Sequence, residues 1–466
     1  MKSFAYKENL RVKASLDPGF EPAIIGIKKY LLDVLKSVDF EVVFIALERS
    51  DIDKSFYRTV VFSDKADKHD DNCFYIERLI KSLLWVKGGY KIQYSGPRKL
   101  GEFIKKTFSN DGNRSFDSNF MSRIYEKPFE VEFVDNDDIE IIPERSKPIG
   151  RNLDGYRIGF DAGGSDRKVS AVVNGKSIYS EEVVWFPKQI SDPDYHYNEI
   201  LQAMKTAASK MPRVDAIGVS SAGTFVNNRT MAASLFIKVP DDLFEKKVKD
   251  IYLNVAKELG NVPIEVANDG DVTALAGSMS LNKNKVLGIA MGTAQAAGYI
   301  DHLGNITGWL NELSFVPVDF NVNSIVDEWS GDYGVGCKYF SQDSVIKLAK
   351  NAGIEIDENL SLAEKLVFVQ DEVKKGNKKA LEIFQNIGVY LGYALGFYDL
   401  FYDLESVLIL GRVTSGAGGL QILKYAKKVL KSEFPELSKK IKLILPDEKS
   451  RRVGQSIAAA SLPKIK

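Results

Sequence analysis

A pattern of strand, glycine-containing turn, strand and Gly/Asn turn occurs twice in this chain of 466 residues, and it restricts the fold more than any other feature. The first copy is Tyr156-Arg-Ile-Gly-Phe-Asp161-Ala-Gly163-Gly164-Ser165, followed by Lys168-Val-Ser-Ala-Val-Val and Asn174-Gly175. The second is Val286-Leu-Gly-Ile-Ala-Met-Gly292-Thr293, followed by Ala296-Ala-Gly-Tyr-Ile300 and Gly304-Asn305. In each copy an apolar strand feeds a turn of small and hydroxyl residues, where backbone N–H groups lie at the surface with no side chain over them. Two such turns, facing each other from related lobes, make a clamp for a polyphosphate. A third glycine-rich turn, Gly411-Arg-Val-Thr-Ser-Gly416-Ala-Gly418-Gly419, follows an apolar strand. It is expected to hold adenosine, with Gly416, Gly418 and Gly419 letting the backbone approach a flat ligand.

Two carboxylates stand at strand ends beside these turns. Asp161, next to Gly163, Gly164 and Ser165, is placed to hold a hydrated Mg²⁺ near nucleotide phosphates; alone, it also reads as a capping Asp in a hairpin turn. Ala267-Asn268-Asp269-Gly270-Asp271 lies between the two copies, where the strand Ile264–Asn268 meets a helix. The C-terminal end of a strand is the usual ligand side of an open α/β sheet. Asn268 or Asp271 can serve as helix N-cap, which leaves Asp269 as the candidate base.

Composition narrows the class. The formal net charge is +0, so a chain-wide basic field for nucleic acid or anionic membrane is absent. Two cysteines, Cys73 and Cys337, are too few for a disulfide framework and fit a reducing cytoplasm. No apolar run approaches the ~20 residues that span a bilayer. Residues 1–150 read as a separate α+β domain, with strands at Phe40–Leu47, Tyr57–Phe62, Tyr90–Tyr94 and Phe129–Phe133 and helices at Phe74–Val86 and Lys99–Phe108. Ser109–Phe116 reads as a polar loop, Asp135–Asp138 as a turn and Pro143–Pro148 as a linker. Residues 151–285 are expected to form one lobe and 286–466 a second.

The order of these motifs resembles the actin/hexokinase/heat-shock-70 ATPase superfamily, and within it the ROK family of sugar kinases and related repressors. Asp161-Ala-Gly-Gly-Ser165 is similar to that family's Asp-x-Gly-Gly-Thr phosphate motif, and Val266-Ala-Asn-Asp269 to its catalytic Asn-Asp segment. Ile217-Gly-Val-Ser-Ser-Ala-Gly223 looks like its Gly-x-Pro-Gly loop beside the sugar. The resemblance covers about residues 154–462. It implies an α/β protein with a duplicated ribonuclease-H-like (actin/hexokinase-type) ATPase fold, preceded here by an extra N-terminal α+β domain. Where family members often carry Glu-x-Gly-His, this chain has Glu312-Leu-Ser314-Phe315. Of the family's cysteine-rich zinc loop only Cys337 remains, and a sugar-contacting Glu aligns with Tyr339. No structural zinc is therefore expected, and the hydroxyl-reading set is altered.

The expected activity is transfer of the γ-phosphate of ATP to a hydroxyl of a sugar or sugar-like polyol, with Mg²⁺. Asp269 would be the base, while Asn268, Glu312 and Gly223 would line the acceptor site. Asp161 would hold Mg²⁺ through water. Gly163, Gly164, Ser165, Gly292 and Thr293 would bind phosphates, and Gly411, Gly416 and Gly418 adenosine. The alternatives are a non-catalytic sugar- or nucleotide-sensing regulator on the same fold, or an ATPase that activates a partner enzyme. The N-terminal domain carries no readable DNA-reading helix, and is expected to shape the acceptor pocket or an oligomer interface.

Overall fold

The computed structural model describes residues 4, 6, 9–135, 139, 144, 146–446 and 448–465, the side chains of 448–453 excepted. The expected turn at Asp135–Asp138 and linker at Pro143–Pro148 lie partly outside these residues. The protein folds into two compact units rather than three consecutive segments. One comprises residues 1–145, 289–296 and 309–445, the other 146–288, 297–308 and 446–466.

The first unit opens with α1 (Ala23–Lys36), β1 (Phe40–Glu48), β2 (Lys54–Phe62), α2 (His69–Lys87), β3 (Lys91–Ser95), α3 (Arg98–Thr107), α4 (Ser115–Tyr125) and β4 (Glu130–Phe133). The β-branched and aromatic run of β1 pairs antiparallel with β2, from Phe40 opposite Phe62 to Glu48 opposite Lys54, and the sheet runs β2-β1-β3-β4. α2 is buried along most of its length, and its charges are answered inside the unit. Lys81 meets Asp117 at 2.7 Å, Arg78 meets Asp332 at 2.8 Å and Arg114 meets Asp332 at 2.9 Å; Arg114 also contacts Glu77. Trp85 Nε1 donates to Asp117 at 2.6 Å. Burial alone would raise Asp332, but Arg78, Lys81 and Arg114 outweigh it and hold the carboxyl well below the usual range. Because Asp332 lies in the late part of the chain, this network ties residues 1–145 to 309–445 and accounts for their grouping.

The second unit contains β5 (Tyr156–Ala162), β6 (Asp166–Val173), β7 (Lys176–Val184), α5 (Pro193–Ala208), β8 (Ala216–Ser221), the small hairpin of β9 (Thr224–Val226) and β10 (Arg229–Ala232), the single turn α6 (Asp241–Leu243), α7 (Ile251–Glu258), β11 (Ile264–Asn268) and α8 (Asp269–Leu281). Its sheet runs β11-β8-β5-β6-β7. β11, β8 and β5 are parallel, and β5-β6-β7 form an antiparallel meander. The core includes Ile158, Phe160, Val169, Trp185, Ile217 and Val219. Gly159 and Gly218 let a late helix lie directly on the sheet: a Cβ at Gly218 would stand 1.7 Å from the Ala459 carbonyl oxygen, and one at Gly159 2.2 Å from that of Ser456.

β12 (Val286–Met291) and β13 (Gln295–Ile300) run on from the second unit into the first and back, through the turn at Gly292. The remaining elements of the first unit are α9 (Gln342–Asn351), α10 (Leu362–Lys374), α11 (Lys378–Tyr398), β14 (Ser406–Leu410), α12 (Gly416–Glu433), α13 (Pro435–Lys440) and β15 (Lys442–Ile444). Its second sheet runs β13-β12-β14-β15. The last element is α14 (Glu448–Ala460), the helix that covers Gly159 and Gly218.

Candidate functional site

Each unit carries part of the expected constellation. In the second unit the parallel register sets Asp161 beside Ser220, and Ser221 beside Asn268, so three strands end together at one edge. The Ser220 hydroxyl donates to Asp161 Oδ1 at 2.7 Å. Burial pushes the Asp161 carboxyl up, against the pull of Ser220 and Lys168.

α8 begins at Asp269 because Asn268 caps it: Asn268 Oδ1 accepts the Gly270 N–H at 2.8 Å. The other end of that amide donates to the Gly223 carbonyl at 2.8 Å, so Asn268 is engaged at both ends within the protein. Gly223 has φ 142, and a Cβ there would sit 2.5 Å from the Ala232 carbonyl oxygen. Asp269 is half-buried. Burial pushes its carboxyl up to about 6; the Asp161 charge adds to the shift, while the Gly270 N–H and Lys188 oppose it. Its carboxyl is therefore more basic than that of an ordinary Asp.

The turn Gly163–Ser165, expected to bind phosphate, departs from that expectation at one residue. The Gly163 N–H donates to the Asp166 carbonyl at 3.0 Å and closes the hairpin, so it is not available to a phosphate; a Cβ there would stand 2.7 Å from the same oxygen. Gly164 and Ser165 are exposed. Trp185 holds the turn from behind, its Nε1 donating to the Gly163 carbonyl at 2.8 Å and its N–H to the Ser165 carbonyl at 3.2 Å. Lys188 reaches this turn, since a Cβ on Gly164 would lie 3.4 Å from its Nζ. Sequence reading missed Lys188, because an isolated lysine in the loop after β7 carries no motif.

In the first unit the turn at Gly292-Thr293 has the same arrangement. The Gly292 N–H donates to the Ala294 carbonyl at 3.0 Å, which leaves Thr293 exposed beyond it. Gly411 has φ 99, and its Cβ would fall 2.3 Å from the Met291 carbonyl oxygen, so only glycine joins β14 to the turn there. Gly416 is exposed at the start of α12. Gly418 and Gly419 are not ligand-facing as expected. Both are buried, and their Cβ atoms would meet Phe384 at 2.7 Å and the Thr414 carbonyl at 1.8 Å, so their smallness serves packing of α12.

Glu312 follows Asn311 in a segment held by the end of α2. The Glu312 N–H donates to the Trp85 carbonyl at 2.9 Å, and the Asn311 N–H to that of Val86 at 3.0 Å. Phe315 packs on Trp85, ring centroids 4.4 Å apart. Tyr339 is fully buried and donates to Asp319 Oδ2 at 2.5 Å.

No protein-family model matches the chain, and no curated protein matches it. Solved structures do. A ROK family transcriptional regulator, homologue of the E. coli MLC protein, superposes with a TM-score of 0.53 at 17% identity, over 66% of this chain and 79% of that one. The ROK hexokinase from Thermus thermophilus superposes with a TM-score of 0.50 at 15% identity, over 65% of this chain and 97% of its own. The fold is therefore that of the ROK proteins, shared over about two-thirds of the chain.

Proposed function

We propose that this chain is a ROK-type kinase that transfers the γ-phosphate of ATP to a hydroxyl of a sugar or sugar-like polyol. The observation that carries the reading is Asp269. It is a carboxylate of raised basicity, at a strand–helix junction beside Asp161 and Ser220, on a fold shared with a hexokinase. Asp269 takes the proton of the acceptor hydroxyl as its oxygen attacks the γ-phosphorus; the bond to the β-γ bridging oxygen breaks, ADP leaves, and the proton stays on Asp269. The exposed Gly164 and Ser165 amides, with Lys188, receive phosphate oxygens. Gly411 and Gly416 border adenosine, and Glu312 contacts acceptor hydroxyls. Asn268 acts by fixing the start of α8 and the Gly223 loop.

Mg²⁺ suits the donors present. Asp161 and Asp269 are two desolvated carboxylates, and the charge of Asp161 raises Asp269, a repulsion that a divalent cation held by Asp161 through water relieves. When bound, the ion neutralises phosphate charge. A coupled ADP-release screen over sugars, aminosugars and inositols tests the reading. Acceptor-dependent ADP release that needs added Mg²⁺ supports it. Acceptor-independent hydrolysis alone, or full activity in EDTA, argues against it.

A further inference from the structure

The first unit holds a cleft that the proposed reaction does not use. It lies against the β1–β2 pair, where Ile45 stands opposite Tyr57 and Leu47 opposite Ser55. Leu83 of α2, with Leu400 and Phe401 from the segment after α11, extends its apolar wall. The space is about 140 Å³, of the order that admits one benzene-sized ring.

Lys87, the last residue of α2, lines the same cleft and is 7% exposed. Its ammonium lies 3.0 Å from the centroid of the Trp309 ring and donates to Glu144 Oε2 at 3.3 Å. Burial pushes Lys87 down to about 8, and the Arg49 charge adds to the fall, against the pull of Glu144. Arg49 itself donates to the Ser55 hydroxyl at 2.6 Å and to the Lys87 carbonyl at 3.3 Å. Tyr57, pushed up to about 12 by burial, stays neutral. The two members of the Lys87–Glu144 pair differ in freedom. The Glu144 side chain is 30% exposed and can turn to water, whereas that of Lys87 is 9% exposed and cannot. An anion that enters the cleft therefore competes with Glu144 for a desolvated ammonium, where a charge-assisted hydrogen bond is strong. The rest of such a ligand must be apolar to match Ile45, Leu47, Leu83 and Phe401.

We infer that this cleft is a binding site for a small carboxylic acid anion with an apolar body about the size of one ring, whose carboxylate takes the place of Glu144 on Lys87. The N-terminal domain thereby has a ligand of its own, apart from nucleotide and acceptor, and the site does not depend on the kinase reading. Lys87 ends the helix whose Trp85 and Val86 carbonyls hold the Glu312 and Asn311 N–H groups, so the site adjoins the backbone that fixes those two residues.

The test is calorimetric titration of the full-length protein at pH 6, where the Lys87 ammonium is intact, by benzoate and hexanoate, each beside its neutral amide, and by acetate. At least one of the two apolar acids should bind, with its amide and acetate roughly tenfold weaker or silent. Lys87→Met should weaken that acid by roughly tenfold or more. Glu144→Gln should tighten it several-fold, because the competing carboxylate is gone; a residue with a merely structural role would not do so. In the parent, affinity should fall as pH rises above about 8, where Lys87 loses its proton while the acid stays ionised. If Lys87→Met does not fold in a thermal melt, Glu144→Gln and the pH dependence decide. Failure of both acids to bind, an amide that binds as well as its acid, full affinity in Lys87→Met, unchanged or weaker affinity in Glu144→Gln, or an affinity that does not fall above pH 8 overturns the site.

Discussion

Asp269 combines two properties that pull against each other. Its desolvation makes it a better base, and the same desolvation makes its ionised form costly to the fold. Its folded-state pKa of about 6 lies above the ~3.9 of an unfolded Asp, so the ionised group costs stability, and that cost grows as pH rises from about 4 through about 6. Asp269→Asn should lower turnover by ~10²-fold or more. It should also melt higher than the parent at pH 7.5, the gap closing below pH 4; equal turnover, or a lower melting point at pH 7.5, would contradict this. In the parent, kcat/KM should fall on the acid side with a midpoint near 6. Lys188, near both the Gly164 turn and Asp269, should matter for nucleotide more than for acceptor. Lys188→Met is expected to raise the KM for ATP by roughly tenfold and leave the acceptor KM nearly unchanged, measured with both substrates varied.

At the scale of elements, α2 stands out as a buried helix that carries charges into the interior and holds Asn311 and Glu312 at its C-terminal end. Removing one partner of a buried ionic network leaves the others uncompensated, so Asp332→Asn should cost about 3–5 kcal/mol in urea unfolding. Because the Asp332 pKa is depressed, its contribution is present above the ordinary carboxylate range and is lost only as pH falls below it; a loss already complete at pH 6 would be inconsistent. How much could be read beforehand follows from what each residue does. The glycine turns and the strands feeding them were legible, because a backbone that must turn tightly selects glycine and a buried strand selects apolar residues. The strand–helix junction at Asn268-Asp269 was legible for the same reason, as a capping amide next to a carboxylate. α1 and α4 were not read: neither has a side-chain cap at its N-terminus, α4 starts inside the polar run Ser109–Phe116, and exposed Leu32 and Leu35 blur the apolar stripe of α1. Gly418 and Gly419 were misassigned because a glycine needed for helix packing and one needed for a ligand look alike in one dimension. The hydrogen bond that occupies the Gly163 N–H is likewise a three-dimensional fact.

At the scale of the whole molecule, residues 1–145 and 309–445 form one compact unit joined by buried charges and rings, so the N-terminal part is not a detachable module. Deleting residues 1–145 strips the partners of Asp332, Phe315 and Glu312 at once. The remainder should be insoluble or unfolded by circular dichroism, and a well-folded, cooperatively melting remainder would refute that integration. The fold is shared by a kinase and by a transcriptional regulator, so only chemistry separates the two readings. With net charge +0, phosphate neutralisation gives little drive toward DNA, and tight sequence-specific DNA binding at physiological salt would favour a regulator. The most direct discrimination is mass-spectrometric detection of phosphorylated sugar after incubation of the full-length protein with ATP, Mg²⁺ and the sugar panel, run beside Asp269→Asn. A phosphorylated sugar formed by the parent, and reduced ~10²-fold or more in the variant, is the expected result; no phosphorylated product with any sugar, or equal product from both proteins, would contradict a kinase that uses Asp269 as its base.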